Sequence, residues 1–357
     1  MSRFLNSKYS ELEVYTPGEQ PTDMKYIKLN TNESPFPPSK GVLDAISTEE
    51  VARLNLYSDP TCRVLKEKIA ALYGVEFKNV FVSNGSDDIL NFSFMAFCDG
   101  AKTRVSFPEI SYGFYSVFAE LHGVSYTAVP LREDFSINAQ DYCNNDSTVV
   151  IANPNAPTGL CLSIEDIEQI VKANPDHVVL IDEAYVDFGG ESATELTKKY
   201  ANLLVVGTFS KSRSMAGARL GFAIGNEELI ADLMKIKYST NPYNINRLTL
   251  LAGAAAIDES SYYTENCKKI IKAREYTQNK LREMGFSLTA SKANFIFAKS
   301  DRIGGKELYE RLKARGILIR HFEKEKIKDY NRITVGTMEQ MNAFLCAVAD
   351  ILKEDKK

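Results

Sequence analysis

The chain has 357 residues, enough for two or three domains with a sizeable core. Its residues are 44% apolar and 25% charged, ordinary globular usage that excludes a disordered, collagenous or fibrous protein. With 43 Lys and Arg against 47 Asp and Glu, the net charge of −4 lacks the basic surplus of a nucleic-acid binder.

In chain order, the first twenty residues lack the apolar core of a signal peptide. No later run approaches the roughly 20 apolar residues of a membrane helix. A soluble cytoplasmic protein with no membrane partner is expected. Residues 1–43 are rich in Pro and Asn (TPGEQP, LNTNESPFPPSK) and show little helical or strand period. They read as an extended arm that packs on a smaller domain or on a partner subunit.

Residues 44–243 read as a large domain. Strand candidates are 79–85, 103–109, 124–130, 147–154, 177–185, 202–210 and 220–226, several of them nearly continuous apolar runs. Such runs mark strands buried on both faces. Between them, SDDILNFSFMAF, YGFYSVFAELHG and SIEDIEQIVKAN carry apolar residues at helical spacing. This alternation predicts an α/β fold with a mostly parallel sheet of roughly seven strands flanked by helices. Ligands in such sheets sit beyond the carboxyl ends of the strands. Residues 244–357 read as a smaller α/β domain, reached through a long helical passage that bridges the two bodies. The closing KEDKK reads as a solvated tail.

Cysteines and histidines add little. Cys62, Cys98, Cys143, Cys161, Cys267 and Cys346 form no C-x-x-C pair and read as free thiols. His122, His177 and His321 are far apart, form no H-x-x-x-H pair, and suggest no metal site.

Four polar clusters follow strand candidates, and each has an ordinary explanation alone. In VSNGSDD (82–88) a strand turns at Gly85 into a helix whose first amides could bind an anion; a plain cap by Ser86 or Asp87 explains it as well. ANPNAPTG (152–159) could be only a loop. Asp182 ends an apolar strand, where a carboxylate needs a cation, a metal or a protonated ring nitrogen. Lys211 follows another such strand, with Arg219 further along a Gly/Ala/Ser-rich turn. Desolvation and a neighbouring cation favour the neutral lysine that attacks carbonyls. Together the clusters ask for one ligand. It has a phosphate for the amides of 85–87, Ser210 and Arg219, an aldehyde for Lys211 and a ring nitrogen for Asp182. Pyridoxal 5′-phosphate carries all three.

In that order the motifs LNTNESPFPPS, YSDP, SNGSDD, FPEISYGFY, NPNAPTG, IDEAYVDF, TFSKSRSMAGARLGF, GILIRHF and RITVGT resemble the pyridoxal-phosphate aminotransferases of fold type I. Within them, the chain is similar to the branch that transaminates histidinol phosphate with 2-oxoglutarate. The resemblance covers essentially the whole chain. It implies that Lys211 carries the cofactor as a Schiff base and shuttles the substrate proton. Asp182 would keep the ring nitrogen protonated, Tyr185 would bond the phenolic oxygen and Tyr112 would stack on the ring. Ser86, Asp87, Ser210 and Arg219 would form the phosphate cup. Tyr57 would reach the neighbouring subunit's cofactor, making the active unit a homodimer. One departure stands out. The family's N-P-T-G loop has Ala156 before Pro157 here, so Asn155 or Asn153 reaches the phenolic oxygen, or Tyr185 does so alone. Arg332 and Arg320 would grip the substrate phosphate, with Tyr15, Asn32 and Glu33 lining its imidazole end. Threonine-phosphate decarboxylases and aromatic transaminases share much of the pattern, and a non-catalytic binding protein on this fold is the remaining rival.

Overall fold

A computed structural model describes residues 5–10, 12–100 and 102–354. The first four residues of the arm and the last three of the KEDKK tail lie outside the described residues. The strands are β1 (Ile27–Lys28), β2 (Val80–Ser83), β3 (Arg104–Pro108), β4 (Tyr126–Val129), β5 (Ser147–Ala152), β6 (Val179–Asp182), β7 (Leu203–Thr208) and β8 (Gly221–Gly225), followed by β9 (Phe286–Leu288), β10 (Phe295–Ser300), β11 (Ile317–Leu318), β12 (Arg320–His321) and β13 (Tyr330–Thr334). The helices are α1 (Lys40–Ala45), α2 (Thr48–Val51), α3 (Arg63–Tyr73), α4 (Ser86–Phe97), α5 (Phe114–His122), α6 (Ile164–Ala173), α7 (Glu227–Thr240), α8 (Arg247–Asp258), α9 (Ser260–Glu283), α10 (Gly305–Ala314) and α11 (Met338–Glu354).

Each of the seven strand candidates of the large domain contains one strand of a seven-stranded sheet, ordered β2-β8-β7-β6-β5-β3-β4. The sheet is parallel from β7 through β4. β8 runs antiparallel to both its neighbours. The apolar runs have the cause expected of them. Along β5 and β6, Val149, Ile151, Val179 and Ile181 pack beneath Ile167, Ile170 and Val171 of α6. The alternate residues Val150, Ala152 and Leu180 pack on the opposite face with Leu90, Phe94, Tyr115 and Leu233 from α4, α5 and α7. Both faces are dry, so neither can afford the polar alternation of a half-exposed strand.

The smaller body is an antiparallel sheet, β12-β13-β10-β9, backed by α10, α11 and part of α9. The arm belongs to it: β1 pairs in parallel with β11, and Leu29 enters its core. The packing changes bodies inside α9 rather than at residue 244. Ala252, Ala256 and Ile257 of α8, and Tyr263 at the start of α9, share a core with Val80 and Leu220 of the large domain. Further along α9, Cys267, Ile270, Ala273 and Leu281 lie in the small-domain core. The 24-residue α9 is therefore the bridge, and at 1.5 Å per residue it spans about 36 Å.

Candidate active site

The carboxyl ends of β5, β6 and β7 open into a two-chambered cavity of about 330 and 380 Å³. Tyr112, Ala156, Tyr185 and Lys211 line both chambers. Ser86, Asp87, Asp182, Ser210, Arg219 and Glu33 line the inner one, and Tyr15, Asn32, Arg320 and Arg332 the outer. Residues far apart in the sequence thus meet where the sheet rule places a ligand.

Asp182, the last residue of β6, is 4% exposed. Tyr115 Oη donates to its Oδ2 at 3.0 Å and the Ala184 amide to its Oδ1 at 3.2 Å. No cation pairs with it among the described residues. Burial pushes its carboxyl up to about 6, against the pull of those two donors. A buried carboxylate held only by neutral donors is ready for a positive partner in the cavity. Tyr115 was not expected from the sequence, where it reads only as part of an apolar helix face; the same burial and the facing carboxylate raise its phenol well above the usual range.

Lys211 follows β7, and its Nζ donates to the Thr31 carbonyl at 3.2 Å and lies 5.7 Å from the centre of the Tyr185 ring. The ring of Tyr185 stands edge-on to Phe295, at 5.1 Å. Tyr112 Oη donates to Asp87 Oδ1 at 2.8 Å, and Arg219 Nη2 donates to Asp87 Oδ2 at the same distance. Burial lifts the Tyr112 phenol well above its ordinary value, which keeps it a donor. The Asp87 side chain consequently buttresses the anion pocket and repels an anion itself; only its amide, in the first turn of α4, suits one.

The phosphate end of pyridoxal phosphate fits this corner. Gly85 has φ +89°, and a Cβ there would stand 2.7 Å from Arg219 Nη2. A Cβ on Gly221 would stand 2.5 Å from the Ser86 amide nitrogen. Two glycines therefore let strand, helix start and guanidinium close around one spot. Ser210 is buried beside them. A buried acid at Asp182 would suit a ring nitrogen and the amine of Lys211 a carbonyl, so the residues present fit each functional group of the cofactor.

Three expectations need correction or refinement, and Tyr57, expected to act at a partner subunit, stands apart from both chambers. The Asn155 side chain does not line either chamber: it donates to the Ile110 carbonyl at 2.9 Å and accepts from Ser111 Oγ at 2.7 Å. Asn153 is likewise committed, accepting from the Leu162 amide at 2.8 Å. From that loop the described wall takes only the apolar Ala152, Ala156 and Pro157. Asn32 lies at the outer chamber, but its amide donates to Tyr185 Oη at 3.0 Å rather than being left for a substrate. Glu33 is in an ion pair with Lys28 at 2.8 Å. Tyr57 lines neither chamber; it is 80% exposed and stacks on Tyr243 with ring centres 4.5 Å apart.

Glu183, beside Asp182, is a buried acid that the sequence reading passed over. It accepts from Ser192 Oγ at 2.5 Å and the Ala193 amide at 2.6 Å, and burial pushes it up to about 8. Its folded value lies above its ordinary 4.5, so the folded chain holds a proton that the unfolded chain releases. The stabilisation is present in full below the ordinary value and is lost as pH rises through about 8. Thermal unfolding followed from about pH 5 to pH 9 should show the native chain losing about 4 kcal/mol more than Glu183→Gln. Parallel curves would remove this assignment.

The sequence profile of the class I and II aminotransferases matches residues 24–348. The chain belongs to that family, whose cofactor is pyridoxal phosphate. It is 51% identical over 354 residues to the histidinol-phosphate aminotransferase of Brachyspira hyodysenteriae, covering 99% of this chain and all of the relative. With that of Clostridium beijerinckii it shares 46% over 357 residues, covering 100% and 99%. Among solved structures, the histidinol-phosphate aminotransferase of Clostridium acetobutylicum superposes with a TM-score of 0.83 at 26% identity, over 92% of this chain and 99% of that one. The L-threonine-O-3-phosphate decarboxylase of Porphyromonas gingivalis also shares the fold, with a TM-score of 0.78 at 19% identity over 92% of this chain and 99% of that one. Fold alone therefore does not separate the two chemistries.

Proposed function

We propose that this chain transfers the amino group of L-histidinol phosphate to 2-oxoglutarate, giving imidazole-acetol phosphate and L-glutamate in histidine biosynthesis. The observation that carries the reading to this substrate is the outer chamber. Arg320 and Arg332 face it, and among the described residues neither is paired with a carboxylate. Arg332 Nε is buried without a partner among the described residues. Two uncompensated guanidiniums suit a dianion better than the single charge of a carboxylate. Tyr15, stacked on Phe114 with ring centres 4.1 Å apart, supplies a flat apolar wall for an aromatic end. The full-length relatives named above support the same substrate.

When bound, pyridoxal phosphate supplies a carbonyl that captures amines and a ring that accepts the electrons freed at the substrate carbon. The chain supplies the rest. Arg320 and Arg332 hold the phosphate end in the outer chamber. Lys211, on the wall common to both chambers, is the base placed to take the proton from the amine-bearing carbon and to return it. Asp182 holds positive charge at the floor of the inner chamber. Tyr112 and Tyr185 wall the space between and exclude water.

The active unit in this reading is a cytoplasmic homodimer in which Tyr57 crosses to the partner's cofactor. In support, Tyr57 lines neither of its own chambers and is largely exposed. No helix among the described residues is long and apolar enough to cross a membrane.

A spectrum tests the substrate directly. The absorbance band of the bound cofactor should disappear with histidinol phosphate and return with 2-oxoglutarate as glutamate forms. Carbon dioxide released from threonine phosphate, with no amine transfer from histidinol phosphate, would overturn the proposal. Arg332→Gln should raise KM for histidinol phosphate by about 10- to 100-fold, the loss of a charge-assisted hydrogen-bond set. Cofactor loading should be unchanged; equal damage to loading would place Arg332 in the fold rather than in substrate binding.

A further inference from the structure

We infer that Asn32 is a positioning residue that stands in for the absent loop asparagine, by fixing Tyr185 as a hydrogen-bond donor into the cofactor chamber. The inference rests on the aminotransferase reading of the site and adds to it a role for the arm and the small domain.

The hydrogen bonds run in one direction from Asn32 and Thr334 to Tyr185. The Asn32 backbone N–H donates to Thr334 Oγ1 at 2.9 Å. The Thr334 hydroxyl, also 2.9 Å from Asn32 Oδ1, then places its own hydrogen on that oxygen. The carboxamide orientation is thereby set, and Nδ2 faces Tyr185 Oη at 3.0 Å. An amide nitrogen donates and cannot accept. Tyr185 Oη is therefore the acceptor in this contact, and its hydrogen remains to be given elsewhere. Tyr185 lines the inner chamber beside Asp182, Lys211 and the bare methyl of Ala156. A phenol that accepts one hydrogen bond is also polarised to donate another more strongly.

The backbone agrees with this role. Asn32 is 1% exposed and has φ +56°, a left-handed conformation that Asn tolerates better than most residues. Its carbonyl accepts from Asn294 Nδ2 at 3.0 Å. Asn32 is thus clamped by two residues that flank the central strands of the small domain, and presents its amide to the large domain. The loop asparagines are committed elsewhere, Asn155 to Ile110 and Ser111 and Asn153 to Leu162.

The other titratable or charged groups around Tyr185 are Lys211, Arg332, Tyr15, Tyr112 and Tyr115, with Asp182, Asp87, Glu33, Arg219 and Arg320 on the walls of the chambers it lines. The substitutions below leave all of them in place. A donor to the cofactor's phenolic oxygen stabilises its negative form, so losing the donor makes the oxygen hold its proton to higher pH.

The experiment is a pH titration of the absorbance of the cofactor-loaded protein without substrate. Asn32→Gly, which keeps the left-handed backbone, should move the spectral midpoint up by about half a pH unit or more. Tyr185→Phe should move it further, and the double variant should match Tyr185→Phe alone, because Asn32 acts only through the Tyr185 hydroxyl. A native midpoint in Asn32→Gly would overturn the inference, as would a double variant whose shift is the sum of the two. Should Asn32→Gly not fold, Thr334→Val removes the hydroxyl that orients the carboxamide, and an unmoved midpoint there is equally decisive against it. A native protein that shows no cofactor band would defeat the aminotransferase reading itself, an outcome separate from an unmoved midpoint.

Discussion

Lys211→Ala should reduce turnover at least about 10,000-fold, the upper range of what one positioned acid–base group contributes. In the proposed reaction the side chain would serve twice, as the amine that joins the cofactor's aldehyde and as the base for the substrate proton, so one deletion would remove two functions. No other lysine among the described residues lines the inner chamber. The fold should tolerate the loss, because Lys211 makes no ion pair among the described residues and its hydrogen bond goes to a single carbonyl on the arm. Unfolding curves should therefore coincide with those of the native chain while single-turnover rates collapse. Turnover within tenfold of native would sink the assignment.

Asp182→Ala should weaken cofactor retention and slow proton removal from the substrate, each by roughly 100-fold or more, the order expected when a buried charge loses its only partner. The carboxylate sits at the end of a central strand, and the structure surrounds it with neutral donors from Tyr115 and Ala184. Those donors lower the cost of burying the charge but leave it unbalanced until a cation enters. Asp182→Asn keeps the shape and removes the charge, which separates the two contributions. If Asn restores rate as well as retention, charge is not what Asp182 provides. Equilibrium dialysis for retention and stopped-flow absorbance for the rate give the two readings independently.

Much of this architecture is legible in the sequence, because strands buried on two faces must be apolar throughout. Every run read that way is a strand of the large sheet. Parallel direction was legible from the alternation of strands and helices, and it fails at β8. β7 and β8 are joined only by the Lys211 segment, and they pair antiparallel. The site residues at strand ends were legible because turn chemistry and an isolated acid or lysine are local signals. What was not legible depends on distant partners. Asn32 meets Tyr185 across 153 residues of sequence and Tyr115 meets Asp182 across 67. Nothing in the spacing around either residue carries that information. Asn155 shows the converse. Its neighbours in NPNAPTG suggest a ligand, yet its amide is used to hold Ile110 and Ser111 in place.

The two anion sites are prepared in different electrical states. Arg219 rests on the carboxylate of Asp87, so a phosphate arriving there must share a guanidinium that is already neutralised. Arg320 rests on the carbonyls of Thr16 and Pro17, both at 3.2 Å, and Arg332 on that of Asn30 at 2.9 Å. These acceptors orient the two guanidiniums without cancelling their charge. The outer chamber therefore keeps a standing positive potential, and little reorganisation separates its resting state from its loaded one. The arm is the counter-support of that potential, and a change in its sequence that kept every arginine could still detune the chamber by letting them turn away.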